Sequence, residues 1–214
     1  MAYPTVNKPY GLLPVNLIGG QVFAGSTRLM SIASGYGTDI FFGDVVKRAS
    51  NGTIEKDTGT STATPVGIFM GCTYTNPSTK QKLFFQSYPA GTAASDIQAY
   101  VADDPDVLFK VASVSTGTTV AFYGPALVGE NAVLVQNAGS NNTGDSAVGI
   151  FGGNTATTAS FPVRIVDFVP DTGNSSNGYC EWICKFNAPY MVFSSPANTV
   201  TVTGGHAYLN PTGV

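Results

Sequence analysis

The sequence predicts an all-β protein, made of about ten or more short antiparallel strands arranged in a sandwich or in one to two small barrels. Short apolar runs alternate with turns rich in Gly, Asn, Ser and Thr, which is typical of strands joined by tight loops. No stretch shows the periodicity of a three-turn amphipathic helix. Charged and aromatic residues each make up 11 % of the chain, a balance that favours a folded protein with a nearly neutral surface.

An extended, Pro-rich N-terminal arm is predicted over residues 1–20. Its prolines at 4, 9 and 14 prevent a helix and interrupt any strand ladder, yet its side chains are too apolar for a free tail. The arm either crosses its own domain or lies on a neighbouring subunit, and we favour the second interpretation. The residues expected to contact a subunit or a larger assembly are Tyr3, Pro4, Pro9, Tyr10, Leu12, Leu13, Pro14 and Val15.

The rest of the chain is predicted to form β unit one at 21–115 and β unit two at 116–214, or one continuous β domain from 21 to 214. The organising stretch is 43–71, where two short apolar runs flank Asn51 and Gly52, the strongest short-range signal of a hairpin. Pro65 fits the opening of a third strand, where its missing N–H costs no ladder bond. Further short strands are predicted at 29–33, 82–86, 96–101, 107–111, 119–123, 132–135, 161–169, 179–187 and 199–203.

Part of the organising stretch recurs. The tetrapeptide Val-Gly-Ile-Phe occurs at 66–69 and again at 148–151, and each copy is preceded by a Gly-acid pair, at 43–44 and at 129–130. Internal duplication and coincidence both remain open from the sequence.

The strand at 179–187 alternates most clearly. Alternation places Cys180, Trp182, Cys184 and Phe186 inward and places Glu181 and Lys185 outward. Cys180 and Cys184 would lie about 13 Å apart in a strand, too far for a disulfide. We therefore expect these two thiols and Cys72 to be reduced and buried.

The charge and hydropathy patterns argue against two classes of partner. The formal net charge is −3, with no cluster of Lys and Arg that could neutralise phosphates, which argues against nucleic-acid binding. No segment reaches the roughly 18 apolar residues of a membrane helix, and the N-terminus lacks the pattern of a signal peptide.

Catalytic and metal-binding signals are also weak. His206 is the single histidine, and we expect it at the surface or in an interface rather than as a catalytic base. One histidine and dispersed cysteines provide no zinc ligand set. The acidic stretches at 103–106 and 171–178 lack calcium-loop spacing and are typical of turns. The sequence predicts no enzyme, no cofactor and no metal.

Three stretches carry a resemblance: Gly-Asp-Val-Val-Lys at 43–47 with Pro-Val-Gly-Ile-Phe-Met-Gly at 65–71, the opening at 7–15, and the run at 94–105. Together they make the first half of the chain resemble head decoration, or capsid cement, proteins of tailed bacteriophages of the marine and cyanobacterial type. The resemblance implies a non-catalytic virion protein, synthesised in the host cytoplasm, that binds the outside of the head and bridges capsomers. It also implies the major capsid protein as partner and a homotrimer.

An alternative function is a carbohydrate-binding or adhesive β module of a phage fibre or surface protein. Such a module would need exposed aromatic side chains arranged as a sugar platform, and the candidates are Tyr74, Tyr88, Tyr100 and Tyr123.

Overall fold

The protein is described by a computed structural model that covers residues 8–173, 175, 178–188, 190–194, 199–203 and 205–209. It is all-β, with 43 % strand and 3 % helix, which confirms the predicted fold class. The strands are β1 (Leu13–Leu17), β2 (Arg28–Ser31), β3 (Val45–Arg48), β4 (Ile54–Lys56), β5 (Gly67–Thr75), β6 (Lys82–Phe85), β7 (Gln98–Ala102), β8 (Val107–Thr116), β9 (Thr119–Val120), β10 (Asn131–Val135), β11 (Gly149–Ala156), β12 (Val163–Phe168), β13 (Glu181–Phe186), β14 (Tyr190–Ser194) and β15 (Thr199–Thr203). Two short 3₁₀ turns span Pro125–Leu127 and Ala207–Leu209.

The later strands form a closed barrel in the order β8-β11-β10-β12-β13, with β13 returning to β8. The β8–β11 pair is parallel and the other pairs are antiparallel. Strands β1 and β9 add to β8 from outside this ring. Its core is filled by large fully buried side chains, among them Trp182, Phe109 and Phe186, and the two phenylalanine rings lie 5.0 Å apart.

The earlier strands form a second sheet in the order β2-β7-β5-β3-β4, with β6 paired to β5. Ile32, just after β2, forms a parallel bridge with Ile54, the first residue of β4. This bridge brings the two outer strands together, so the sheet also wraps around its own buried cluster. Because β2 to β7 precede β8 to β13, we call these units the first and the second barrel. The chain passes from one to the other at 103–106, between β7 and β8.

The two barrels have the same topology. Strands β2, β3, β4, β5 and β7 of the first barrel correspond in order, neighbours and direction to β8, β10, β11, β12 and β13 of the second. The register corresponds as well. The matching pairs are Leu29↔Tyr100 with Lys110↔Ile183, Met30↔Ala99 with Val111↔Trp182, Val45↔Ile68 with Asn131↔Arg164, and Ile32↔Ile54 with Ser113↔Ile150.

This equivalence separates the two repeated motifs of the sequence. The Gly-acid pairs lie at equivalent turns before β3 and β10, where Gly43 and Gly129 have φ of 88° and 93°. The Val-Gly-Ile-Phe copies do not correspond, because they lie on β5 and β11 and the counterpart of β11 is β4. The fold is therefore repeated, but the tetrapeptide is not the mark of that repeat.

The hairpin predicted at Asn51 and Gly52 joins β3 and β4. Gly52 has a φ of 84°, a conformation that favours glycine. The Asn51 side-chain oxygen accepts hydrogen bonds from the Thr53 N–H at 3.0 Å and from its hydroxyl at 2.7 Å. Pro65 comes two residues before β5, and the next residue donates its N–H to the Val46 carbonyl at 2.7 Å.

The expectation that the N-terminal prolines interrupt any strand ladder is wrong for residues 13–17. β1 pairs with β8, and the Leu12 N–H donates to the Gly43 carbonyl at 3.0 Å. Pro14 is tolerated because β1 lies outside the barrel ring and its register is irregular between Pro14 and Asn16. Residues 11–17 therefore cross their own domain, which is the first of the two interpretations of the arm.

Candidate assembly surface

The predicted interface residues lie in different environments. Tyr3 and Pro4 lie outside the described residues. Pro9 and Leu12 are buried, and Leu12 is 0 % exposed within the core of its own chain. The half-buried members of the set are Tyr10, Leu13, Pro14 and Val15. The six described residues are thus used wholly or partly inside the chain, and their contact with another subunit stays a prediction.

A buried polar network at Asp44 joins the two barrels. The Asp44 carboxylate is 0 % exposed and accepts hydrogen bonds from the Lys56 ammonium at 2.8 Å, the Ser146 hydroxyl at 2.6 Å and the Phe41 N–H at 2.9 Å. Ser146 comes from the loop before β11, so the network spans both barrels. A buried ion pair needs its remaining hydrogen-bonding sites satisfied, and these partners do so.

The N-terminal segment passes through the same junction. Gly11 has a φ of 85°, and a Cβ added there would lie 2.7 Å from the Gly43 carbonyl oxygen, so glycine alone fits the close approach. Its N–H donates to the Val148 carbonyl of the second barrel at 3.1 Å. The segment therefore connects both barrels through backbone bonds.

Strand β13 confirms the inward prediction for Cys180, Trp182, Cys184 and Phe186, all 0–1 % exposed. Of the two residues predicted outward, Lys185 is half-buried and pairs with an exposed aspartate.

The outward prediction for Glu181 is wrong, because this residue is 2 % exposed. The Tyr10 hydroxyl donates to its carboxylate, and the Lys110 ammonium lies 3.4 Å from the carboxylate and 5.8 Å from the centre of the Tyr10 ring. Burial raises the pKa of Tyr10 above its usual range, and the hydrogen bond to Glu181 adds to the effect. Strand alternation cannot anticipate cover supplied by a residue 171 positions earlier.

His206 is fully buried, which contradicts the expected surface or interface position. Its N–H donates to the Asn187 carbonyl at 2.8 Å, and its Nδ1 accepts from the Tyr208 N–H at 3.3 Å. Burial lowers its pKa to about 4, so the ring is neutral at pH 7. The Tyr208 hydroxyl donates to Asp103 at 2.8 Å, and the residue after His206 donates to the Pro65 carbonyl. The C-terminal segment at 206–208 thus contacts both barrels, with the His206 ring buried at its start.

The three cysteines are free and buried, as predicted. Burial raises the pKa of the Cys72 thiol to about 12 and raises those of Cys180 and Cys184 above their usual range, which makes all three poor nucleophiles. Within the described ranges, no three His, Cys, Asp or Glu side chains gather where they could hold a metal ion. A search of the same residues finds no helix long and apolar enough to cross a membrane.

The proposed tyrosine platform is not an exposed row. Tyr88 is 0 % exposed and Tyr74 is 7 % exposed, so neither can stack on a sugar. Tyr100 and Tyr123 are half-buried and belong to different barrels, where Tyr123 packs 6.4 Å from Trp182.

An exposed apolar surface lies instead on the outside of the first barrel. Phe84, Leu29 and Phe85 are 70 %, 54 % and 40 % exposed. Tyr100 faces Leu29 across the β2–β7 pair, and Tyr100, Met70 and both phenylalanines line a groove of about 480 Å³. We call the surface formed by Leu29, Met70, Phe84, Phe85 and Tyr100 the open face.

Part of the open face could have been found from the sequence. Adjacent residues of a strand point to opposite sides, so the sequence indicates that one of Phe84 and Phe85 faces outward, but it does not indicate that both line one groove. The pairing of Leu29 with Tyr100 had no such signal, because it depends on strands about 70 residues apart in sequence.

Comparisons with known proteins find no matching family model, no matching curated protein and no matching solved structure. Function therefore has to be argued from the surfaces of this chain.

Proposed function

We propose that this chain is a non-catalytic structural protein of a tailed-bacteriophage virion, a head decoration protein that binds the outer capsid surface and bridges capsomers. The observation that carries the proposal is the open face, a cluster of exposed aliphatic and aromatic side chains on a chain with 11 % charged residues. Clustered apolar surface on a folded protein marks contact with another protein.

The chemistry of this surface suits attachment without charge. Among the described residues, strand β6 pairs only with β5, so its other edge can offer main-chain hydrogen bonds to a neighbouring strand. The proposed partners are the major capsid protein and two further copies of this chain in a homotrimer. A trimer that touches several capsomers gains avidity from modest single contacts.

The titratable groups support a structural role. His206 is buried with a lowered pKa, and the three thiols have raised pKa values. The buried carboxylate Asp44 is satisfied by Lys56, Ser146 and a backbone N–H at the barrel junction. These groups hold the fold together rather than face a substrate.

The test is to delete this protein from the phage and to compare DNA retention by heads with and without it under heat and osmotic shock. Heads lacking it should release DNA at lower temperature. Adding back the wild-type protein should restore retention, whereas the Phe84→Glu variant, which places a charge on the open face, should restore less. Val128→Glu is the matched control, because Val128 is 40 % exposed on the second barrel.

Attachment to heads should survive high salt, since an apolar contact is not screened as ion pairs are. Heads that are equally robust without the protein, together with reduced adsorption to the host, would contradict the proposal and favour an adhesive function.

A further inference from the structure

One edge of the first barrel carries backbone groups that no neighbouring strand uses. The Ile32 N–H donates to the Ile97 carbonyl at 3.2 Å, so by antiparallel alternation the N–H and C=O of Leu29 point away from β7. Residues 26–29 are all exposed, and no strand of the described chain lies along their other side.

The second barrel shows what fits such an edge. The counterpart of Leu29 is Lys110 on β8. Leu13 of β1 pairs with Lys110 along the edge of β8 that faces away from β13. β1 continues antiparallel along β8 as far as the Leu17–Val107 pair. An extended, proline-containing segment therefore pairs with this edge in the second barrel, whereas no strand of the described residues pairs with the equivalent edge of the first barrel.

We propose that the edge of β2 at residues 26–29 receives residues 1–7 of a second copy of this chain as an added antiparallel strand. The order Tyr-Pro-Thr-Val-Asn at 3–7 is similar to Leu-Pro-Val-Asn at 13–16, which forms most of β1. Its aromatic and aliphatic side chains suit the adjacent open face. Each copy then donates one segment and receives another, a head-to-tail contact that closes into a ring.

This inference deepens the proposed function by naming the contact between subunits, and it rests on that function only in requiring assembly. Its own argument is the correspondence between Leu29 and Lys110 and the exposure of 26–29.

The first experiment separates the contribution of the Leu29 backbone N–H to assembly from that of the Leu29 side chain. Leu29→Pro removes the N–H that points away from β7, a position where an edge strand tolerates proline. Leu29→Thr removes the leucine side chain but keeps the donor and suits a strand. By light scattering we expect wild type and Leu29→Thr to be oligomers and Leu29→Pro to be a monomer that still shows one cooperative melting transition, at a lower temperature because it has lost the stabilisation that assembly provides. An assembled Leu29→Pro variant overturns the proposal.

The second experiment identifies the donor. A Tyr3→Cys chain and a longer, tagged Leu29→Cys chain are co-expressed and oxidised, with the three native thiols buried and unreactive. Paired strands bring Cα atoms to about 5.5 Å, within disulfide range. We expect a covalent product containing both chains, and none when Val128→Cys replaces Leu29→Cys.

Two results of this second experiment overturn the inference. One is the absence of the mixed product. The other is a Tyr3→Cys, Leu29→Cys double variant that cross-links only within one chain, because the segment would then lie on its own barrel. A mixed product from a protein whose loss leaves phage heads equally robust would refute the capsid function and leave this inference intact.

Discussion

The two barrels share one strand order and one register. They differ in what packs on equivalent residues of β2 and β8. In the second barrel the Lys110 edge is paired with β1, and the Lys110 ammonium lies near the Tyr10 ring. In the first barrel the equivalent Leu29 is 54 % exposed. Backbone pairing is therefore preserved without matching side chains, and burial at each position depends on the segment packed above it.

The cores differ as well. Trp182 fills the second barrel at the position that Ala99 occupies in the first. A Cβ added at Gly152 would come within 2.6 Å of the Trp182 ring, so the barrel wall has been reduced to glycine where the large ring packs. The two barrels therefore reach close packing with large and small side chains at different positions.

The largest expected effect comes from Trp182→Ala, which should cost roughly 3–5 kcal/mol of unfolding free energy because it leaves a large cavity. The thiols report where the loss occurs, since Cys180 and Cys184 lie in the second barrel and Cys72 lies in the first. Thiol labelling read by mass spectrometry should accelerate at Cys180 and Cys184 first. Equal acceleration at all three would show that the barrels unfold as one unit.

The second effect tests the junction. Asp44→Ala should cost about 3 kcal/mol, because it leaves the Lys56 ammonium buried without its carboxylate and removes the acceptor of the Ser146 hydroxyl. The control is Glu130→Ala, at the equivalent turn of the second barrel, where the residue is half-buried. That change should cost no more than about 0.5 kcal/mol in urea unfolding. Similar costs for both would mean that the junction is not held by Asp44.

The third effect is a pH dependence at His206, which is buried at the start of the C-terminal segment that contacts both barrels. Its pKa is lowered from 6.5 to about 4, so below pH 6.5 the unfolded chain binds a proton that the native protein excludes. The groups facing it include Asp103, Asp104 and Lys185, and the two aspartates partly oppose the effect of burial. Stability should be highest above pH 6.5 and should fall by about 2 kcal/mol between pH 7 and pH 5.

The measurement compares urea unfolding of wild type and His206→Gln across this range. The variant should be less stable at pH 7 but should show a flatter profile. An unchanged slope would mean that other groups cause the loss.

The sequence predicts features that depend on neighbouring residues well. It predicts poorly the burial of residues that distant segments of the chain cover. The hairpin at Asn51 and Gly52 is predictable because its turn depends on the conformational preferences of these adjacent residues. The buried side of β13 is predictable because it follows from strand alternation. Alternation places Glu181 outward, but Tyr10 from the other end of the chain covers it. The sequence likewise predicts a surface or interface position for His206, because its burial depends on segments distant in the chain.

The repeat shows the same limit. Counterparts such as Ala99 and Trp182 share no side-chain chemistry, so no sequence pattern reveals that they occupy one position. The exact tetrapeptide match lies on strands that do not correspond. The two barrels are alike in their backbone hydrogen-bond pairing and not in their side chains.

The smallest expected effect measures what the N-terminal cover contributes to the second barrel. Tyr10→Phe keeps the ring beside the Lys110 ammonium and removes the hydroxyl that donates to Glu181. A hydrogen bond to a charged acceptor is worth about 1.5 kcal/mol, and Glu181 keeps Lys110 as a partner, so the loss should not exceed that figure. The control is Tyr100→Phe on the open face, where the ring lines a groove and the cost should be within about 0.5 kcal/mol.

The pH profile distinguishes this bond from simple packing. The pKa of Tyr10 is raised above its ordinary value of 10, so the unfolded chain loses the proton first and stability falls as the pH rises past 10. Tyr10→Phe should weaken that alkaline loss, while Tyr100→Phe should leave it unchanged. Equal costs and equal profiles for the two variants would mean that the N-terminal segment does not stabilise the second barrel through Glu181, and the contrast between a covered and an open barrel would then rest on strand pairing alone.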